Sequence, residues 1–487
     1  MVMVIRAART LFRKKVPTVG LGLRFSGRRL LLASGDVIML NSALVLYLVA
    51  QARFNAGGDS SFWRQLPWFL VLTCLWFGAS LFSDVYDLNR AARVVESVAF
   101  TGATAVFVSG SYLLIPYVTP TLPDRRLFIF LLPLLVTLAI VTWRILYATL
   151  FSPPTFQRQA LIIGAGQSGQ MLAQMVANIN HHDNGIVYTI LGFIDDDLNK
   201  HQQMISGIPI LGTRHDLLKL AQKLRPDEII VAITHSHLIH PKLFQAVLDC
   251  RELGIPITTM THLYESLTGR VPVAYAGNDL QVILSIDRPA INRLYFAFRR
   301  GCEWLIALLG CLFLLILMPF IWLGNRLTNP GDLFYWQERV GEGGKVFQVV
   351  KFRSMVMGAE QDTGVVWARE NDERITPVGR LLRKARIDEM PQFWNVLKGE
   401  MSLIGPRPER PFIITTLEKE IPFYRVRHDV RPGITGWAQV CYRYGASVDD
   451  ALIKLEYDLY YIKHQSWYLD LVILVKTVRV MLGLQGQ

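Results

Sequence analysis

Cysteine is scarce in this sequence and serves no visible framework. Five residues, at 74, 250, 302, 311 and 441, are scattered without a CxxC pair or Cys/His spacing. That excludes a disulfide scaffold and a zinc site. Acidic residues are missing from the first 35 positions, and the first is Asp36. The first 30 residues also lack a short apolar core followed by a small-residue cleavage site, so no signal peptide is expected. Charge as a whole is thin, at 18% of residues, and unbalanced, with 51 Lys+Arg against 39 Asp+Glu for a net +12. A basic balance beside apolar blocks points to anionic lipid headgroups or phosphorylated substrates, and not to nucleic acid.

What is abundant is apolar sequence. Hydrophobic residues make up 51% of the chain, at a mean hydropathy of +0.29. They concentrate in four blocks, at 30–50, 66–82, 98–118 and 127–151, each near the about 20 residues that cross a bilayer as helix. Eight basic residues and no acid precede the first block. Residues 1–28 are therefore expected on the cytoplasmic side of a four-helix transmembrane domain at 29–151. Arg125 and Arg126 would fall in an outside loop, against the same rule.

Past Ser152-Pro153-Pro154 the pattern changes to strands alternating with helices. Strand candidates begin at Gln159 (ALII), Thr189 (TILGFIDDD), Asp227 (DEIIVAI) and Ile255 (IPITTM), which reads as a doubly wound parallel sheet over 155–270. Gly164, Gly166 and Gly169 form a GxGxxG between strand and helix, with Asp195 as the acid after the second strand. This is either a nucleotide site of Rossmann-like type, regulatory or catalytic, or a tight turn whose glycines permit close packing. None of the 17 tyrosines has lysine four residues later. The Tyr-x-x-x-Lys pair of sugar-nucleotide dehydratases and epimerases is thus missing, which weighs against an oxidoreductase or epimerase built on that motif. Residues 271–290 read as a linker.

A fifth apolar run, 304–324, holds 21 residues without a charge. Arg293, Arg299 and Arg300 precede it, Arg326 and Lys345 follow it, and Pro319 lies within. Basic flanks at both ends and an internal proline favour a kinked helix that enters the lipid and returns over one that crosses it. Beyond it, YWQERVGEGGKVFQVVKFRSM reads as two strands about a glycine turn. Thr376-Pro377 suits the start of a short basic helix, and Asp388 could cap another that Gly399 closes. Asp388 and Glu389 sit together among basic residues. A helix start at Asp388 would hold an ionised carboxylate and phosphate oxygens together, and Glu389 would add a second hard oxygen ligand for magnesium.

The stretches KFRSM (351–355), RITPVGRLLRKARIDEMPQFWNVLKGEMSLIGPRPE (374–409) and RPGITGWAQV (431–440) resemble the bacterial polyprenyl-phosphate glycosyl-1-phosphate transferases. The resemblance covers about residues 293–485, and the four spans and Rossmann-like module are similar to the large-form members. It implies a monotopic α/β catalytic module at 291–487 carrying the re-entrant helix. The implied reaction moves a sugar-1-phosphate from a UDP-sugar to undecaprenyl phosphate, as the first membrane step of exopolysaccharide synthesis. Asp388 is the implied nucleophile, forming a covalent phosphosugar-aspartate, and Glu389 the implied magnesium ligand beside it. Arg407 would clamp phosphate oxygens. Lys351, Arg353, Arg380, Arg383 and Arg386 are candidate supporting cations, or simply a basic surface facing lipid headgroups. Glu409 and Asp458 match acids of the family, and either bind metal, orient arginines or form ordinary salt bridges. The resemblance further implies a bacterial inner-membrane location, a cytoplasmic catalytic module, a homodimer and downstream glycosyltransferases as partners. A non-catalytic scaffold for polysaccharide assembly is the rival reading. His428 is read as a structural or phosphate-contacting side chain, and residues 467–484 as an amphipathic helix at the membrane surface or over the core. Two departures stand out. Arg299-Arg300-Gly301-Cys302-Glu303 replaces the family's Lys-Arg-x-x-Asp, and Met318-Pro319 replaces the Ser-Pro of smaller members.

Overall fold

The structure, a computed structural model, describes residues 25–54, 62–83, 85–86, 91, 94–116, 119–120, 127–150, 158–182, 188–201, 203–233, 239–273, 292–328, 330–359, 374–442 and 447–481. The basic segment up to Arg24, the boundary at Ser152-Pro153-Pro154, Arg125 and Arg126 lie outside these residues. The chain divides into two compact units, Met1–Phe156 and Gln157–Gln487.

The first unit contains four long helices, α1 (Phe25–Phe54), α2 (Phe62–Phe82), α3 (Val94–Leu113) and α4 (Leu127–Leu150). They pack through Leu40, Leu44, Tyr47, Trp76, Tyr112, Val136 and Ile140. Ile38, Leu46, Phe107, Phe130 and Leu134 point outward. Apolar side chains on both the inside and the outside mark helices that face lipid. By length and composition Leu30–Ala52 and Phe128–Leu150 can each cross a membrane, whereas the apolar parts of α2 and α3, Gln65–Ser80 and Ser97–Leu113, are shorter. The third block thus ends at Leu113 and not at residue 118, because Pro116 cannot donate the backbone bond that would continue the helix.

Inside this bundle lies a charge pair that the hydropathy pattern conceals. Arg144 Nη2 donates to Asp36 Oδ2 at 2.6 Å, and both side chains are fully buried. Trp76 Nε1 donates to the same carboxylate oxygen at 3.2 Å, and Arg144 Nη1 donates to the Val85 carbonyl. Gly35, next to Asp36, lets the Trp143 ring pack against the backbone, since a Cβ there would lie 2.1 Å from that ring and force it to move.

The second unit opens with the expected sheet. Strands β1 (Arg158–Ile163), β2 (Tyr188–Ile194), β3 (Met204–Ile205), β4 (Ile208–Gly212), β5 (Glu228–Val231) and β6 (Ile257–Thr259) are ordered β3-β4-β2-β1-β5-β6. All pairings are parallel except β3 with β4. That hairpin turns at Ser206-Gly207, both with positive φ. Helices α5 (Gln167–His182), α6 (Leu217–Leu224), α7 (Pro241–Glu252) and α8 (Met260–Thr268) accompany the sheet.

A single helix, α9 (Asn292–Thr328), carries the fifth apolar run, and Tyr295–Thr328 is long and apolar enough to cross a membrane. Strands β7 (Phe334–Val340) and β8 (Val346–Phe352) form the expected hairpin. Helices α10 (Pro377–Lys384) and α11 (Gln392–Lys398), strand β9 (Ser402–Ile404), helix α12 (Pro411–Glu420), strand β10 (Gly433–Thr435) and helices α13 (Trp437–Cys441), α14 (Val448–Lys463) and α15 (Trp467–Met481) follow. Strands β9 and β10 pair in parallel.

The first residues of the linker expected at 271–290 are part of a packed core. Val271 and Val273 are buried in one core with Leu455, Leu459 and Ile462 of α14, and the Val271 N–H donates to the Glu456 carbonyl. Apolar side chains beside a helix of matching shape are drawn into its core. Residues 274–290 lie outside the described part.

Removing one partner of the buried Asp36–Arg144 pair leaves an uncompensated charge. Arg144→Met should destabilise the protein by about 3–5 kcal/mol, and Asp36→Leu/Arg144→Met should recover most of that loss. Thermal unfolding of the three proteins in one detergent measures both effects.

Candidate active site

Two elements bring the acids and their cations together. Strand β8 presents Lys351 from one side. Asp388 and Glu389 lie in a single 3-10 turn, Ile387–Glu389, between α10 and α11. Asn395 of α11 locks the strand to the turn. It is fully buried, and its side chain accepts from the Val350 N–H at 3.2 Å and donates to the Gln348 carbonyl at 2.7 Å. Helix α10 starts as expected, with Thr376 Oγ1 accepting from the Gly379 N–H at 2.9 Å and Pro377 in the first turn.

Asp388 is not the helix cap that its position suggested. Helix α11 begins only at Gln392, behind Pro391, and receives no side-chain cap; Gly399 closes it with φ 85°. The turn opens on Arg386, whose φ of 57° is left-handed and strained for a side chain that is not glycine. That twist sends the chain out of α10 and sets both acids facing the basic ring. Among the described residues the Asp388 carboxylate makes no hydrogen bond, so it is not consumed by the fold.

Glu389 takes the opposite part. Lys351 Nζ donates to its Oε1 at 2.8 Å, and Arg407 reaches the same oxygen at 2.5 Å and Oε2 at 3.3 Å. Burial by itself would raise the Glu389 pKa, but Arg407 and Lys351 outweigh it and hold the group well below the ordinary glutamate range. For Asp388 the balance reverses. Burial, then the charge of Glu389, push its carboxyl above the usual value against the pull of Lys351, Arg383 and Arg386. One acid is thus a fixed anion, and its neighbour is a poised one.

The other expected residues divide. Arg383 donates from Nε to Ser354 Oγ at 2.9 Å, and its charge and that of exposed Arg386 bear on Asp388. Arg353 is buried beside Gly331 rather than open to a substrate. Arg380 is exposed on α10. Glu409 faces Arg339 at 3.5 Å. Asp458, buried on α14, pairs with buried Arg427 at 2.9 Å, and the same Arg427 nitrogen donates to the Arg407 carbonyl at 3.0 Å. Asp458 therefore orients an arginine. Burial, with Arg427 adding to it, lowers His428 to about 4, which leaves it neutral at physiological pH.

Several contributors lie inside the motifs quoted above without being read there as site residues. Gly405, Gly433 and Gly436 stand where the Gly-Pro-Arg-Pro turn crosses the Arg-Pro-Gly-Ile-Thr-Gly segment. A Cβ on Gly433 would lie 2.1 Å from Gly405 N, and one on Gly436 2.2 Å from Gly405 O. Direct backbone contact fixes Arg407. At the start of α9, Arg299 donates to Ser402 Oγ at 2.8 Å and the Ile404 carbonyl at 2.7 Å, while Glu303 receives Arg299 at 3.0 Å and also bonds Ser402 Oγ. The longer acid of this chain's Arg-Arg-x-x-Glu thus joins the membrane helix to the strand that leads into Arg407.

In the α/β domain, Gly164 adopts φ +98°, and a Cβ on Gly169 would meet the Gly164 carbonyl at 2.0 Å, whereas Gly166 opens onto space. Asp195 is engaged locally. Its carboxylate accepts from the Ala165 N–H at 2.7 Å and the Asp197 N–H at 2.9 Å, with Lys200 at 3.5 Å. Gly164 is thus explained by its backbone conformation and Gly169 by packing.

A family model described as bacterial sugar transferase matches residues 294–483, and one described as CoA-binding domain matches residues 81–260. The chain is 44% identical over 234 residues to the UDP-N-acetylgalactosamine-undecaprenyl-phosphate N-acetylgalactosaminephosphotransferase of Aeromonas hydrophila, covering 48% of this chain and 54% of that protein. It is 32% identical over 287 residues to the UDP-glucose:undecaprenyl-phosphate glucose-1-phosphate transferase of Xanthomonas campestris pv. campestris, covering 57% of each. It is 45% identical over 133 residues to a Bacillus subtilis (strain 168) protein provisionally named undecaprenyl-phosphate N-acetylgalactosaminyl 1-phosphate transferase, covering 27% of this chain and 74% of that one. The match spans little more than half the length of the Aeromonas and Xanthomonas proteins.

Glu389→Gln leaves Lys351 and Arg407 side by side without a counter-charge and should cost about 3 kcal/mol. Because the Glu389 pKa is depressed, its contribution is complete above the ordinary value of about 4.3 and is lost as pH falls through the folded value below it. The gap between the two melting curves should therefore stay constant through neutral pH and close only in acid.

Proposed function

This chain belongs to the bacterial sugar transferase family, and on that premise we propose that it transfers a sugar-1-phosphate from a UDP-sugar to undecaprenyl phosphate. The observation that carries the reading is the divided pair. Glu389 is neutralised by two cations, while Asp388 beside it keeps a carboxylate with no hydrogen-bond partner among the described residues.

Asp388 Oδ attacks the β-phosphorus of the donor. A phosphorus–oxygen bond forms to the carboxylate, and the bond to the bridging oxygen breaks. UMP leaves with that oxygen. An oxygen of undecaprenyl phosphate then attacks the same phosphorus, the Asp388–phosphorus bond breaks, and the carboxylate is regenerated beside undecaprenyl-diphosphate-sugar. Splitting one displacement into two in this way is nucleophilic catalysis. Arg407, held through its carbonyl by Arg427, and Lys351 stand where they can move from Glu389 to the transferring phosphate oxygens, which is where phosphoryl transfer needs positive charge.

Magnesium fits the donor set. Glu389 Oε1 receives both cations and Oε2 only the longer bond from Arg407, so a remaining lone pair on Oε2 and the Asp388 carboxylate would be the hard oxygen ligands for such an ion. Bound there, the ion would supply charge neutralisation between the carboxylates and the donor's phosphates.

A re-entrant course for α9 is supported by contacts at both of its ends. Arg300 donates to the Val396 carbonyl near the start, Gly310 lies against Phe393 midway, and Gly324 lies against Val378 near the end. Residues 300–324 extend about 36 Å as helix, more than the about 30 Å hydrocarbon core. A straight crossing would place the polar module on both sides of the membrane. A helix that dips in and returns keeps the module at the cytoplasmic face of the bacterial inner membrane, at the level of a lipid phosphate. Exposed Leu381, Trp394, Trp467 and Leu471 suit the same interface.

Incubating the purified protein with magnesium, undecaprenyl phosphate and a panel of UDP-sugars should release UMP from at least one donor, and silence across the panel overturns the proposal. The panel should include N-acetylgalactosamine and glucose, the sugars in the relatives' names. Asp388→Asn should abolish release, and labelled donor without acceptor should mark the Asp388 peptide of the native protein alone. The rate of that labelling should rise with pH through an Asp388 pKa above the ordinary value of about 3.9.

A further inference from the structure

Helix α14 makes contacts on three sides, and each side joins a different part of the molecule. Towards the site, Asp458 holds Arg427, which holds the Arg407 backbone. Towards the membrane helix, Tyr461 donates to Asp470 Oδ1 at 3.0 Å, and Tyr295 of α9 donates to Asp470 Oδ2 at 2.6 Å. The third side receives the α/β domain. There Glu265 of α8 is buried between Lys463 Nζ at 2.9 Å and His464 Nε2 at 3.0 Å, at the C-terminal end of α14. Arg270 lies 3.6 Å from Glu456 and over the rings of Tyr264 and Tyr457. Trp437 Nε1 donates to the Gly269 carbonyl at 2.9 Å and stacks on Tyr460.

These contacts are dense, and they converge on the helix that positions the phosphate clamp. A buried carboxylate gripped by two basic side chains is a costly way to attach a module that has no further role. We propose that Glu265 is a positioning residue for the transfer reaction, acting from the α/β domain through α14, Asp458 and Arg427 to set the placement of Arg407. The proposal rests on the reading of the site given above. It makes the α/β domain a brace for catalysis whether or not its glycine loop takes a ligand. It also follows that a change in how α8 sits on α14 alters the rate of transfer without touching either substrate.

The test uses the full chain in detergent, with UMP release and hydrogen exchange as its two readouts. Glu265→Gln and Lys463→Met should each lower kcat about ten-fold, as small misplacements of a catalytic group do. Lys463→Arg, which keeps the charge, should stay near the native rate, and Glu265→Lys/Lys463→Glu should recover to within about two-fold of it. Combined with Asp458→Asn, Glu265→Gln should add almost nothing, because both act through one path. Amide exchange should quicken in α14 and in the peptide spanning residues 401–412, which contains the clamp. A merely structural role predicts additive losses and exchange that changes at the α8–α14 contact alone, and that outcome overturns the proposal even if a variant melts early. An active native protein with Glu265→Gln equal to it removes this proposal by itself. A native protein that releases no UMP removes the functional reading, and this proposal with it.

Discussion

Two cations closing on one carboxylate oxygen is the interaction that the rest of the site depends on. Lys351 arrives on a strand and Arg407 on a rigid turn, and neither would tolerate the other at that distance without Glu389 between them. Their combined charge keeps Glu389 ionised in spite of its burial. Burial, with the charge of Glu389 adding to it, raises its neighbour, so the two adjacent acids are shifted in opposite directions. Most of the module can be understood as support for that arrangement. Asn395 fixes the strand, the left-handed Arg386 aims the turn, and the crossed glycines together with Arg427 fix Arg407.

The membrane helix is part of the same support. Arg299 and Glu303 bond the strand that runs into the Gly-Pro-Arg-Pro turn, so the position of α9 and that of Arg407 are mechanically one variable. A lipid phosphate is confined to a thin layer at the bilayer surface, and an enzyme acting on it must hold its reacting atom at that height. On the function proposed above, bonding Arg407 to the long apolar helix would serve that need without intervening flexible chain.

Much of the architecture was legible in the sequence because it is encoded locally. Apolar helices, strand-and-turn alternation, the Thr376-Pro377 start and the Gly399 stop each follow from neighbouring residues, and apart from the early end of the third apolar block each appears where its chemistry required. The acids and Arg407 drew attention because they sit in long, unusual motifs, and the structure brings Glu389 and Arg407 together. What escaped was long-range. Asp36 and Arg144 are 108 positions apart, and Glu265 and His464 are 199 apart; nothing in either neighbourhood names its partner. The capping role expected of Asp388 failed for a local reason, since Pro391 and the left-handed Arg386 shift the start of the helix. Asp195 was correctly placed after the second strand, but its bond to the glycine loop is a tertiary fact.

Val271 and Val273 carry a consequence for how small the chemistry can be made. Both precede the apparent start of the catalytic region, yet they fill space among Leu455, Leu459 and Ile462. A fragment excised at residue 291 would lose two of its own core side chains and open a void against α14, forfeiting about 1.5–3 kcal/mol for each valine. A fragment that keeps this core whole therefore has to start before Val271, close to the end of the α/β domain.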